Sequence, residues 1–214
     1  MNSNLKKRII SSIFLIPLSL FFIIKGADYF IFFLSIALFI TIYEWYTMNK
    51  NNFIPIILGI LFIFFSFYLT FLFRNNLGLI NFLFVLLICI SSDIGGYIFG
   101  KILNGPKLTK LSPNKTYAGV IGSFLLSLIF GLIFLEYFGE IYILDLFDLN
   151  NHRLSLILLI LLISFLSQVG DLTISYFKRF NKVKDTGNII PGHGGLLDRI
   201  DGLIFVLPIL YLIL

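Results

Sequence analysis

The stretch SYFKRFNKVKDTGNIIPGHGGLLDRID, residues 175–201, combines four chemical resources. Lys178, Arg179, Lys182 and Lys184 form a cationic run suited to phosphates or anionic lipid heads. Gly192, Gly194 and Gly195 permit a backbone turn that points N–H groups at an anion. Asp198 and Asp201, three residues apart, project from one face where a helix begins. Arg199 adds a fixed cation and His193 a titratable group. A loop that merely binds acidic lipid would account for the lysines. It would not account for two acids where a span enters the bilayer.

Two further carboxylates stand inside apolar runs. Asp171 precedes Lys178 by one polar stripe, Ser164, Gln168, Asp171, Ser175 and Lys178, at helical spacing. That puts it about 10 Å inside the end of its span. Asp93 stands in the same relation to Gly100 and Lys101, on a face shared with Gly96 and Tyr97, where the glycines also allow close helix packing. A carboxylate on a spanning helix costs about 2.5–3.5 kcal/mol, so it faces a cavity, a partner or an ion. Asp171, Asp198 and Asp201 together offer the hard oxygen ligands that Mg²⁺ takes when it also holds substrate phosphates. Such a metal, framed by cations and a glycine-rich turn, describes phosphoryl or nucleotidyl transfer. The second basic stretch, Gly100–Gly119, is similar in kind. Its Lys115-Thr116 ends superficially like a Walker A loop, but the glycine spacing is wrong and no strand precedes it. Lys115 remains suited to a triphosphate.

These residues have to be positioned by membrane helices. The chain is 58% hydrophobic and 13% charged over 214 residues, more apolar surface than a soluble domain of that size can hide. Apolar runs near the length of a bilayer crossing recur throughout, without the alternation of a barrel. The expected fold is an all-α polytopic membrane protein with about seven transmembrane helices, at 9–24, 29–43, 53–73, 77–100, 117–135, 154–177 and 200–214, and two basic cytoplasmic loops. Lys6, Lys7, Arg8, Lys50, Lys101, Lys107, Lys110, Lys115, Lys178, Arg179, Lys182, Lys184 and Arg199 then fall on one side. Lys25, Arg74 and Arg153 fall on the other, with the acidic segment of Glu136, Glu140, Asp145 and Asp148. The positive-inside rule puts the basic side in the cytoplasm. The first run carries no small-x-small cleavage site and reads as a retained span. Cys89 reads as a small buried hydrophobe. The asparagine clusters read as compositional bias.

At this point the residues resemble a known family, phosphatidate cytidylyltransferase, or CDP-diglyceride synthase. Its C-terminal pattern is matched by Ser175, Phe177, Lys178, Arg179, Lys184, Asp185, Gly187, Ile190, Pro191, His193, Gly194, Gly195, Leu196, Asp198, Arg199, Ile200 and Asp201. Asp93, Gly96, Tyr97, Gly100 and Lys101 resemble a second segment of the family. Ser112, Pro113, Lys115, Thr116 and Gly119 resemble a third, with Ala118 where the family often has Glu or Gln. The resemblance is clear from about residue 90 to 205. It divides a single membrane domain into N-terminal helices, 1–90, and a catalytic region, 91–214.

The resemblance implies transfer of a cytidylyl group from CTP to phosphatidic acid, giving CDP-diacylglycerol and pyrophosphate. Mg²⁺ is implied, with a monovalent ion such as K⁺ beside it, at Asp171, Asp198 and Asp201. Lys178 and Arg199 join those three as catalytic residues. Ser175, Arg179, Lys184, His193, Gly194, Gly195 and Lys115 are implied as substrate-binding. Membrane lipids are expected partners, nucleic acid is not, and the resemblance admits a homodimer. The expected location is the inner (plasma) membrane, multi-pass, with the active site facing the cytoplasm. The rival readings are a polyprenol- or phytol-type lipid kinase, and an ion or lipid transporter with Asp93 and Asp171 along its pathway.

Overall fold

The computed structural model describes residues 3–103, 105–109, 112, 115–138 and 152–213. Lys110, Pro113, Glu140, Asp145 and Asp148 lie outside the described residues, as do the side chains of Lys6, Lys7 and Arg153. Long apolar runs form α1 (Ser3–Lys25), α2 (Ala27–Asn49), α3 (Phe53–Asn76), α4 (Gly78–Leu103), α5 (Tyr117–Phe138) and α6 (His152–Phe180). A single turn, α7 (Leu197–Ile200), and an apolar helix, α8 (Leu203–Ile213), follow. Pro17 is tolerated within α1 and Pro208 within α8, as membrane helices permit. Six helices are long and apolar enough to cross a membrane. The protein is thus an all-α, multi-pass bundle.

Two of the expected spans differ in an instructive way. The run 29–43 continues to Asn49, and Glu44, the acid just past its expected end, is buried against the rest of the protein. The run 200–214 is broken at Asp201–Gly202, leaving α8 with only 11 residues. That break is where α6 and the C-terminal segment come closest. A Cβ on Gly170 would stand 2.5 Å from the Asp201 carbonyl oxygen, and one on Gly202 would strike Ser167.

Contacts sort the connections into two ends. At one end, Arg74 donates to the Ile23 carbonyl at the turn made by Gly26, whose φ is +66°, and Asn76 donates to the Tyr211 hydroxyl at 2.7 Å. At the other end, Asn181 donates to Asn49 Oδ1 at 2.7 Å, and Asn52 donates to Asn181 Oδ1 at 3.1 Å. Arg8 donates there to the Gly192 carbonyl at 2.7 Å. The asparagines dismissed on composition therefore tie the α2–α3 turn to the end of α6.

The core has two parts. One, around Phe73, Phe84, Ile88, Ile160, Ile163 and Leu210, fills the bundle between α3, α4, α6 and α8. The other packs Trp45, Ile63, Ile174, Leu197 and Ile204 beneath α7. Polar contacts join helices within the bundle: Ser92 lies 2.9 Å from Ser164, and Ser123 donates to the Ser92 carbonyl at 2.7 Å. Small residues let α4 and α5 run in near contact, with Gly95 against the Gly122 carbonyl.

Candidate active site

The close pairing of α4 and α5, and the break before α8, leave a polar cleft of about 360 Å³. Helix α4 contributes Ser92, Asp93 and Tyr97, α5 contributes Ser123, and α6 contributes Gln168, Asp171 and Lys178. Lys115 enters from the segment before α5, Asp185 from the loop after α6, and Asp198, Arg199 and Asp201 from α7 and the turn after it.

Local folding explains how the loops reach it. Leu108 donates to the Lys115 carbonyl at 2.8 Å, and Tyr117 to that of Pro106 at 3.1 Å, folding the basic segment back on itself. Lys115 Nζ then meets Asp171 Oδ2 at 2.6 Å, while Ser175 donates to Asp171 Oδ1 at 3.2 Å. In the second loop, Gly194 adopts a φ of +92° and its carbonyl accepts from Ile190 at 2.9 Å. That turn lets the Gly195 N–H donate to Asp198 Oδ2 at 3.2 Å.

Asp198 is the best-anchored carboxylate of the cleft. Lys178 Nζ lies 2.7 Å from Oδ1, and Oδ2 also accepts from the Thr186 N–H at 2.9 Å and the Thr186 hydroxyl at 3.0 Å. Burial by itself would raise the Asp198 pKa, but the Lys178 ammonium and the Thr186 donors outweigh it and hold the carboxyl below its ordinary value. A carboxylate lowered on folding adds stability above its unfolded pKa of about 4, and that share is lost as pH falls through the folded value. The thermal midpoint in detergent should therefore drop on acidification below about pH 4, with a smaller drop in Asp198→Asn. Parallel profiles for wild type and variant would show that Asp198 carries no such share.

Asp201 is the opposite case. It is 9% exposed, and its Oδ1 accepts the Gly202 N–H at 2.8 Å. Burial, reinforced by the carboxylates of Asp171 and Asp93, pushes its carboxyl well above the ordinary value. Across the cleft five acidic side chains face three cations, Lys115, Lys178 and Arg199, and a bound cation would draw Asp201 into its charged form. A hard divalent cation answers both the charge and the donor type. Among the described residues, however, no three acids stand together as a ready ligand set. Asp198, expected among the metal ligands, has both oxygens taken by Lys178, Thr186 and Gly195. Asp171 also has both oxygens engaged, by Lys115 and Ser175, and Asp93, Asp185 and Asp201 are the other carboxylates of the cleft.

The residues expected to touch substrate divide. Lys115, Lys178 and Arg199 line the cleft, whereas Ser175, Arg179, Lys184, His193, Gly194 and Gly195 do not. Ser175 orients Asp171. His193 lies 2.9 Å from Ser11 and 3.4 Å from Ser12, and its carbonyl accepts from Arg199. Partial burial, then Arg199 and Arg8, lower its pKa and favour the neutral ring. Two residues given no role from the sequence belong here. Asp185 lines the cleft, and its place in the K-D pair was the available signal. Glu44 lies behind the loop, and an acid five residues before the end of an apolar helix was its signal.

A model of the cytidylyltransferase family matches residues 51–214, which leaves α1 and α2 outside the match. The chain is 36% identical to a phosphatidate cytidylyltransferase of Rickettsia bellii over 216 residues, 99% of this chain and 91% of that protein. It is 41% identical to one of Staphylococcus haemolyticus and 43% to one of Staphylococcus aureus, in each case over 138 residues. Those two alignments take in 64% of this chain and 50% of the staphylococcal proteins.

Proposed function

Because the chain belongs to the cytidylyltransferase family, we propose that it transfers the cytidylyl group of CTP to phosphatidic acid at a Mg²⁺-dependent site. The observation that carries the reading is one cleft, inside an apolar bundle, in which three cations and five carboxylates converge. A pathway for ions or lipid has no need of that density of phosphate-binding groups.

A non-bridging oxygen of the lipid phosphate attacks the α-phosphorus of CTP. The bond from that phosphorus to the α,β-bridging oxygen breaks, and pyrophosphate leaves with the electron pair. The attacking oxygen is already anionic at neutral pH, so positioning and charge neutralisation do most of the work. Lys178 and Arg199 bind phosphate oxygens, and Lys115 exchanges Asp171 for a phosphate as the nucleotide enters. Asp93, Asp171 and Asp201 hold the metal, and Asp198 holds Lys178 in place. Mg²⁺, when bound, neutralises charge on the phosphates and on the departing pyrophosphate. The positive-inside distribution supports a cytoplasm-facing cleft in the plasma membrane, where CTP arrives from solution and the lipid from the bilayer.

Purified protein in detergent or liposomes should convert labelled CTP and phosphatidic acid to CDP-diacylglycerol and pyrophosphate, with Mg²⁺ and not without it. Folded wild type that makes no such product from several phosphatidic acids would sink the reading. A phosphorylated lipid alcohol as product would favour the kinase alternative.

A further inference from the structure

Helix α2 carries a carboxylate that the proposed chemistry does not use. Glu44 is 1% exposed, and a carboxylate so enclosed is costly unless donors surround it. They do. The Leu196 N–H donates to Oε1 at 2.9 Å, the Leu197 N–H donates to Oε2 at 2.8 Å, and the Thr186 hydroxyl lies 3.3 Å from Oε2. That hydroxyl also lies 3.0 Å from Asp198 Oδ2, so one threonine proton is shared between the two acids. Backbone close to the acid is kept small. A Cβ on Gly187 would stand 2.8 Å from Glu44 Oε1, and one on Gly195 2.7 Å from Oε2.

All three donors belong to the segment that delivers Asp198 and Arg199 to the cleft. Leu197, fully buried between them and α2, fixes the same segment from its apolar side. Hydrogen bonds to a charged acceptor are the stronger kind, and here they span more than 140 positions of sequence.

We infer that Glu44 is a positioning residue: through Thr186, Leu196 and Leu197 it sets the 186–199 segment so that Asp198 can hold Lys178 and Arg199 can face the cleft. The catalytic half of this inference rests on the function proposed above; the anchoring half does not.

Glu44→Gln keeps the shape and turns one acceptor oxygen into an amide donor facing a backbone N–H. Hydrogen–deuterium exchange at Leu196 and Leu197 should speed up by about tenfold or more, with peptides from α3 to α5 unchanged. At saturating CTP, kcat should fall by about tenfold or more, with a smaller change in KM. Thr41→Val serves as the control. Its hydroxyl bonds to the Ala37 carbonyl one turn earlier on the same helix, and the change should alter neither reading.

Unchanged exchange at Leu196 and Leu197 would overturn the inference, and so would faster exchange with unchanged kcat. If exchange rises on every helix, so that Glu44→Gln simply unfolds, the decision passes to Thr186→Val. That variant removes the hydroxyl but keeps the Thr186 N–H bond to Asp198, and an unaltered kcat there would overturn the inference. Wild type that turns over no CTP fails the functional reading before any variant is made. Active wild type with an unaffected Glu44→Gln fails only the inference.

Discussion

Asp201→Asn is expected to lower CTP turnover by about a thousandfold while the thermal midpoint in detergent holds or rises. The Asp201 oxygen that accepts the Gly202 N–H can be replaced by the amide oxygen of asparagine, so the break between α7 and α8 keeps its bond. What disappears is a buried acid facing Asp171 and Asp93, whose charged form a bound cation would favour. Removing it relieves repulsion in the protein alone and removes attraction for a cation in the working complex. Gain of stability with loss of activity marks a group held in place for function. Mg²⁺ titration adds a second readout: the variant should need more of the ion for half-maximal rate, whereas Asp198→Asn should not. Full turnover with an unshifted Mg²⁺ requirement would remove Asp201 from the metal site.

Lys178→Met has the second large effect, and its two parts can be separated. The ammonium sits 2.7 Å from Asp198 and also lines the cleft. Its loss leaves Asp198 with Thr186 and Gly195 donors but no countercharge. That should cost roughly 2 kcal/mol, less than for a fully enclosed pair because the cleft admits solvent. It also removes one of three cations available to phosphate, and turnover should fall by about a hundredfold or more. The double variant Lys178→Met/Asp198→Asn should recover most of the thermal midpoint and none of the turnover. Recovery of both would mean that Lys178 acts through stability alone.

Much of this site could be read from residue types at short spacing. Asp171 and Lys178 are one polar stripe on one helix, and Asp198, Arg199 and Asp201 fall within one turn and its cap. Period and local spacing therefore put them together before any packing is known. Lys115 and Asp93 were recognisable because a charge within or beside an apolar run needs a reason. The membrane class followed from the same physics, since only helices can satisfy their own backbone through so much hydrocarbon.

Which carboxylate does what was settled by packing. Asp198 and Asp201 are alike in sequence, both acids near the start of a C-terminal span. Asp198 meets Lys178, Thr186 and Gly195, and becomes an anchor. Asp201 is buried against the close crossing of Gly170 with the C-terminal segment and faces other acids. Glu44 lies just past the expected end of a span, and its donors lie at positions 186, 196 and 197. Asn49, Asn52 and Asn181 looked like composition and form an inter-helix tie. Apolar period and near-neighbour spacing describe one element at a time, and from them come the bundle and most of the charged residues that line its cleft, but not Asp185. The charge each member meets comes from another segment of the chain, Lys115 for Asp171 and Lys178 for Asp198, and only tertiary contact decides that.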